Sequence, residues 1–145
     1  MIRQFIILST ALLLAITSCN TPRLVANVND AKKLETYKDN FIGKPLKKVL
    51  SEIKPKIKFV YGNPENNSPE AIGGTYFTFY FVTKEEGKKR LSVKDTPTGI
   101  TVQFQLEPKN NRKPLPKEGL QEWTIEETKE YGDMIIVSIR VSGNN

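Results

Sequence analysis

The hydrophobic pattern changes its period in the middle of the chain, and this change limits the folds that the sequence can adopt. Apolar side chains recur at helical spacing at Leu46, Val49, Leu50 and Ile53. From residue 57 onward apolar and polar residues alternate instead, which is typical of strands that bury one face. Helices followed by a run of strands predict an α+β fold.

Two helices are expected before the change of period. The first extends from Asp30, which can cap it, to about Ile42, with Leu34, Tyr37 and Phe41 on one face. Gly43 breaks this helix, and Lys44-Pro45 starts the second one, because proline at the first helical position loses no hydrogen bond. Pro55 limits its continuation.

Short strands joined by turns are expected after Pro55. The segment from Glu85 to Lys88 is predicted to turn the chain, with Leu91 and Val93 then pointing inward on a returning strand. We expect two N-terminal helices packed on one face of an antiparallel sheet of about four to five strands. The candidate segments for these strands are residues 57–61, 75–83, 90–94, 100–106, 121–128 and 134–141. Trp123 and Ile125 are expected to point inward, and Ile135, Val137, Ile139 and Val141 are expected to share one apolar face after a hairpin turn at Gly132-Asp133.

The most aromatic strand offers two different faces. Phe77, Phe79 and Phe81 share one face, and the opposite face carries Tyr76, Tyr80 and Val82. If the helices cover the phenylalanines alone, the tyrosine face is exposed and is a candidate surface for a partner, since tyrosine is enriched at interfaces. Alternatively, the polar and proline-rich loop from Glu107 to Gly119 covers it.

The N-terminus has the pattern of a secretory signal peptide. After the single basic residue Arg3, the run from Phe5 to Ile16 is uncharged and mostly apolar. It is too short to cross a bilayer, which takes about 20 apolar residues, but it has the length of a signal-peptide core.

The end of this run carries the only cysteine of the chain. Ile16-Thr17-Ser18-Cys19 resembles the lipobox of bacterial lipoproteins: an aliphatic residue, two small residues and a cysteine. The resemblance implies that residues 1–18 are a signal peptide cleaved after Ser18 and that the Cys19 thiol carries a lipid. Residues 19–29 are then the lipidated cysteine and a tether, and residues 30–145 form a single domain in the cell envelope, anchored to the outer membrane if the cell has one.

A second resemblance lies in the helix before the sheet. The segment from Phe41 to Leu50 (FIGKPLKKVL) resembles a phrase of small envelope lipoproteins of the outer-membrane β-barrel assembly machine and of the β-lactamase-inhibitor-like fold. Those proteins place two short helices against an antiparallel sheet and act by binding other proteins. The resemblance therefore implies the same architecture and a protein partner.

The residue types needed for most enzyme chemistry are missing from the sequence. The chain has no histidine, which excludes Ser-His and Cys-His nucleophiles and the common histidine-containing zinc sites. No phosphate-binding or dinucleotide-binding motif occurs, and we predict no cofactor and no metal. The carboxylate pairs Glu85/Glu86 and Glu126/Glu127 are interpreted as surface charge.

The positive charge of the chain is concentrated near its beginning. Residues 20–60 carry ten Lys/Arg against four acids, whereas residues 118–145 carry two against six. No stacking aromatics accompany the lysines, so no nucleic-acid partner is predicted. We interpret them as solvated faces, some of them near anionic lipid headgroups.

These observations favour a non-enzymatic envelope lipoprotein that binds another protein or an envelope polymer. Two alternatives stay open. One is a surface-anchored inhibitor of a secreted enzyme that would use the loop from Glu107 to Gly119, and the other is an enzyme that uses carboxylates alone.

Replacing the cysteine tests the lipid anchor. We expect Cys19→Ala to remove the lipidation site, so that the precursor keeps its apolar segment or is cut elsewhere and released. The wild type should incorporate labelled palmitate, partition into detergent and accumulate as precursor when the lipoprotein signal peptidase is inhibited. Wild-type protein that is unlabelled, soluble and cut away from Ser18-Cys19 would contradict the lipoprotein interpretation.

Overall fold

The computed structural model describes residues 21–63, 74–107 and 112–143. Its centre is an antiparallel sheet with the strand order β1-β2-β3-β4, and helices accompany it, as the predicted α+β class requires. Each strand pairs with the next one along the chain. The strands are β1 (Phe59–Asn63), β2 (Tyr76–Tyr80), β3 (Gly99–Phe104) and β4 (Ile136–Ser142), and the α-helices are α1 (Lys32–Thr36), α2 (Leu46–Leu50), α3 (Lys84–Ser92) and α4 (Ile125–Tyr131).

One face of the sheet packs against the hydrophobic core. Phe77 and Phe79 of β2 are completely buried, and Phe81 just after the strand is nearly so, as the alternation predicts. Val60, Ile100, Val102 and Ile139 of the other strands share the core with them. The phenylalanine face of β2 is therefore the inner face of the sheet.

The N-terminal helical region is more broken than the expected pair of helices. A 3₁₀ turn (Val28–Ala31), α1 and a second 3₁₀ turn (Lys38–Asn40) replace one continuous helix. Gly43 then has a φ of +77°, which ends the helical segment. Helix α2 follows Pro45, and it buries Leu46 and Val49 against the core as its spacing predicts.

The expected tether joins the core earlier than the sequence suggests. Val25 is fully buried and forms a parallel bridge with Ile53, and Leu24 packs partly against the core. The amide of Val25 donates to the carbonyl of Glu52, and the amide of Lys54 donates to the carbonyl of Val25, both at 2.9 Å. Leu24 and Val25 thus belong to the folded unit, because a non-local pairing with residues 52–54 holds them.

The predicted turn at residues 85–88 and the strand at 90–94 are wrong, because this segment forms α3. The Thr83 side chain caps the helix by accepting from the amide of Glu86. Acidic residues in the first turn and basic residues in the last turn complement the helix dipole. Leu91 and Val93, expected to point inward, are 55% and 72% exposed.

The predicted strand at 121–128 is also wrong, because α4 occupies the second half of this segment. Thr124 and Glu127 form a capping box in which the Thr124 amide donates to the Glu127 carboxylate at 2.8 Å. Trp123 packs against the core as expected, but Ile125 is exposed. Gly132-Asp133 therefore joins a helix to a strand rather than closing a hairpin.

A bulge in β4 changes the apolar face expected for this strand. Gln103 pairs with Ser138 and Phe104 pairs with Ile136, so Val137 has no partner across the ladder. As a result Ile136 and Ile139 are both buried, whereas Ile135 and Val137, which were expected on the same face as Ile139, are exposed.

The pairing of Val25 has a measurable consequence. We expect Val25→Ala to lower the free energy of unfolding by about 2 kcal/mol, because it removes buried methyl groups and leaves a cavity. Val93→Ala removes the same atoms from an exposed position and should cost less than about 0.5 kcal/mol. Urea unfolding of both variants checks this, and equal stabilities would mean that residue 25 lies in a loose tether.

Candidate functional site

The outer face of the sheet carries aromatic and hydroxyl side chains. Because Phe77 and Phe79 point inward, Tyr76, Thr78 and Tyr80 point outward. Thr78 lies opposite Thr101 of β3, and their hydroxyl oxygens are 3.0 Å apart. This hydrogen bond satisfies two hydroxyls in the middle of the face.

Two aromatic pairs flank the threonines. Phe59 and Tyr80 are stacked, with ring centroids 6.0 Å apart, and Tyr61 and Tyr76 are tilted at 6.4 Å. Burial raises the pKa of Tyr80. Burial, and to a smaller extent the neighbouring Tyr61, raises the pKa of Tyr76. These two phenols therefore stay neutral well above physiological pH, while the Tyr61 side chain remains 51% exposed.

A groove lies at the stacked Phe59–Tyr80 pair. It has a volume of about 310 Å³, and its lining is mostly apolar. Helix α3 contributes one wall, and the segment before Gly119 contributes another. The residues that line it include Phe59, Tyr61, Tyr80, Val82, Gly87 and Leu91.

Two glycines let the aromatic rings form the floor of this groove. A Cβ atom at Gly99 would come within 2.8 Å of the Tyr80 ring, so glycine is needed where that ring crosses β3. Gly119 has a φ of +84°, and a Cβ there would lie 2.4 Å from the Phe59 ring. Both positions therefore keep the stacked pair in place.

A third glycine lies on the groove side of α3. Gly87 is inside the helix, where glycine is unfavourable by about 1 kcal/mol relative to alanine. A Cβ at this position would meet Val82 at 3.8 Å and Pro97 at 4.0 Å, which are ordinary contact distances. The fold thus tolerates a side chain here, and its absence enlarges the groove.

Charged groups border the groove. The Lys84 ammonium group donates to the carboxylate of Glu118 and, at 2.8 Å, to its carbonyl, which links α3 to the opposite wall. The hydrogen bond from the Lys84 ammonium group to the Glu118 carboxylate lowers the pKa of Glu118. Lys88 and Lys117 also line the groove, so the charge at its rim is mainly positive.

The structure separates the three residues of the predicted partner face. Tyr80 and Val82 line the groove, whereas Tyr76 lies at the other end of β2 beside Tyr61. Within the described part of the Glu107–Gly119 loop, Lys117 and Glu118 line the groove, whereas the carbonyl of Lys113 accepts from the hydroxyl of Tyr131 in α4. Sequence patterns missed Phe59, Leu91 and Pro97, because strand pairing and the position of α3 bring them together.

The carboxylate pairs considered for catalysis have structural roles or lie on the surface. Glu126 and Glu127 both contact the capping residue Thr124 at the start of α4. Glu85 and Glu86 lie in the first turn of α3. Within residues 21–63, 74–107 and 112–143, no three metal-binding side chains come together in a way that could hold an ion.

The predicted lipid anchor lies outside the described residues. Cys19 and the signal-peptide segment precede residue 21, where the description begins. None of the helices in the described part of the chain is both long and apolar enough to cross a membrane.

Comparison of the chain with protein-family models, with curated proteins and with solved structures gave no match in any of the three.

Gly87 allows a test of how the groove is built. We expect Gly87→Ala to raise the free energy of unfolding by roughly 0.5–1 kcal/mol, because alanine favours the helix and its methyl group fits. Lys89→Ala, on the exposed side of α3, should change stability by less than about 0.5 kcal/mol. Denaturant unfolding gives both values, and a destabilised Gly87→Ala variant would show that α3 packs too closely to leave this groove.

Proposed function

We propose that the protein is a membrane-anchored envelope lipoprotein without enzymatic activity, and that it binds another protein or an envelope polymer through the groove beside α3. The acylated Cys19 holds it to the membrane, and the folded domain lies outside the cytoplasm. The observation that carries the binding proposal is the mostly apolar groove built on the Phe59–Tyr80 stack.

The size and lining of the groove suit an apolar anchor group. Leu91 and Tyr61 both line it and are 55% and 51% exposed, so covering them removes apolar surface from water. Sites of about 300 Å³ and larger accept small ligands or anchor side chains. A protein partner that inserts one or two large apolar side chains is favoured over a polymer, because few polar groups line the floor.

The chemistry of the lining supports binding rather than catalysis. Its ionisable groups are mainly lysines and tyrosines, and its carboxylate, Glu118, is engaged by Lys84. General acid–base catalysis would need a proton-transferring group with a pKa near neutral. The raised pKa of Tyr80 moves that phenol further from this range.

The inhibitor alternative gains no support from the described part of the Glu107–Gly119 loop. Arg112 is bound to Glu107 at 2.7 Å and to Asp133 at 2.9 Å. These ion pairs hold this part of the loop against the domain rather than projecting it.

Substituting two tyrosines that are equally exposed tests whether the groove binds the partner. Tyr61 and Tyr37 are each 51% exposed, but only Tyr61 lines the groove. We expect Tyr61→Ala to weaken capture of the partner from envelope extracts by about tenfold or more, as for a buried aromatic anchor, and Tyr37→Ala to leave it unchanged.

A second pair on α3 tests the opposite wall. Leu91→Glu should abolish the same capture, because it places a charge in the apolar groove, whereas Val93→Glu should not. Circular dichroism confirms that each variant is folded. Equal effects of the two members of each pair would show that the groove is not the binding site.

A further inference from the structure

The distance between the lipid anchor and the folded domain is short. Only Asn20, Thr21 and Pro22 separate Cys19 from Arg23, and the Arg23 guanidinium donates to the carbonyl of Ile53 at 3.2 Å. Six residues of fully extended chain from Cys19 to Val25 span about 20 Å at most. If Cys19 is acylated, as the proposed function holds, the surface around Val25 must stay near the lipid headgroups.

The surface at this point is rich in lysine. The backbone of Lys54 is hydrogen-bonded to Val25, so the lysine lies where the chain enters the fold. In the segment from residue 54 to residue 58, which bends at Pro55, Lys54, Lys56 and Lys58 are exposed, and the intervening Pro55 and Ile57 are half-buried and buried. The exposure of the three lysines and the burial of Ile57 place the ammonium groups on the solvent side of this segment.

Few acidic groups offset this charge. Residues 52–58 contain three lysines and one acid, Glu52, whose carboxylate accepts from the amide of Leu24 at 3.0 Å. Glu122 pairs with Lys56 at 2.7 Å, but both side chains are at least half exposed, so the pair is weak. The surface therefore keeps an excess of positive charge.

The path of the chain puts these lysines away from the other end of the sheet. The backbone amide of Gly43 donates to the carbonyl of Ile136 at the start of β4. After α2 the chain reaches the opposite end of the sheet, where the backbone amide of Lys58 donates to the carbonyl of Tyr80 at the end of β2. Phe59, Tyr80, Gly99 and Ser142 are aligned at that second end. The lysines thus precede the end of the sheet where Phe59 lies.

We propose that the surface formed by Arg23, Lys54, Lys56 and Lys58 docks on anionic lipid headgroups and fixes the orientation of the anchored domain. Each lysine near an anionic membrane contributes about a fivefold gain in partitioning, and the attraction extends over about one Debye length, roughly 10 Å. The short linker keeps the lysines near this range.

Vesicle binding of an unlipidated chain tests the surface separately from the anchor. The chain from residue 19 to 145 with Cys19→Ser contains every described helix and strand. We expect it to co-sediment at low salt with phosphatidylcholine vesicles that contain about a third phosphatidylglycerol, and not with phosphatidylcholine alone. The triple variant Lys54→Gln, Lys56→Gln, Lys58→Gln should bind on the order of a hundredfold more weakly.

A matched triple variant controls for net charge. Lys44, Lys47 and Lys129 are also exposed, and Lys44→Gln, Lys47→Gln, Lys129→Gln removes the same charge near the opposite end of the sheet. It should retain most of the binding. The proposal would be overturned if the Cys19→Ser chain with all its lysines does not bind the anionic vesicles, or if both triple variants lose binding equally. Palmitate labelling and groove variants report on the proposed function independently of this result.

Discussion

The ring of Phe77 is the contact on which the rest of the domain depends. Its centroid lies 5.2–5.9 Å from the rings of Phe79, Phe104, Trp123 and Tyr131, mostly in edge-to-face arrangements. One buried side chain of β2 thus holds β3, α4 and the segment before α4 together. Because neighbouring residues of a strand point to opposite sides, fixing Phe77 inside also fixes Tyr76 and Thr78 outside.

The groove on the outer face forms because the connection between β2 and β3 is a helix. Helix α3 leaves the end of β2 after Tyr80, and the Lys84–Glu118 pair joins it to the segment beside β1. The space between α3 and the stacked Phe59–Tyr80 pair is the groove. Gly87 keeps this space open at a cost in helix stability, which is a pattern more typical of a binding site than of a packed core.

Predictions from the sequence were correct for several elements whose local spacing determines the result, and features that depend on distant pairing were missed. The inward phenylalanines of β2 and the buried face of α2 follow from periodicity alone. The bulge at Val137 and the pairing of Val25 with Ile53 depend on partners far along the chain, and neither leaves a local pattern. The missed helices did leave one, since Thr83-x-x-Glu86 and Thr124-x-x-Glu127 have the form of capping boxes. The groove itself arises from tertiary contacts, although Tyr80 and Val82 were predicted as part of a partner face.

The central claim is that the groove of a lipid-anchored domain holds an apolar group of a partner, and in-cell photo-crosslinking tests it most directly. A benzophenone amino acid at position 91 would lie in the groove, and one at position 93, on the exposed end of the same helical segment, would not. Irradiation of intact cells should give a discrete membrane-associated adduct from position 91 and none from position 93. The same adducts from both positions, or an adduct from position 93 alone, would contradict the claim.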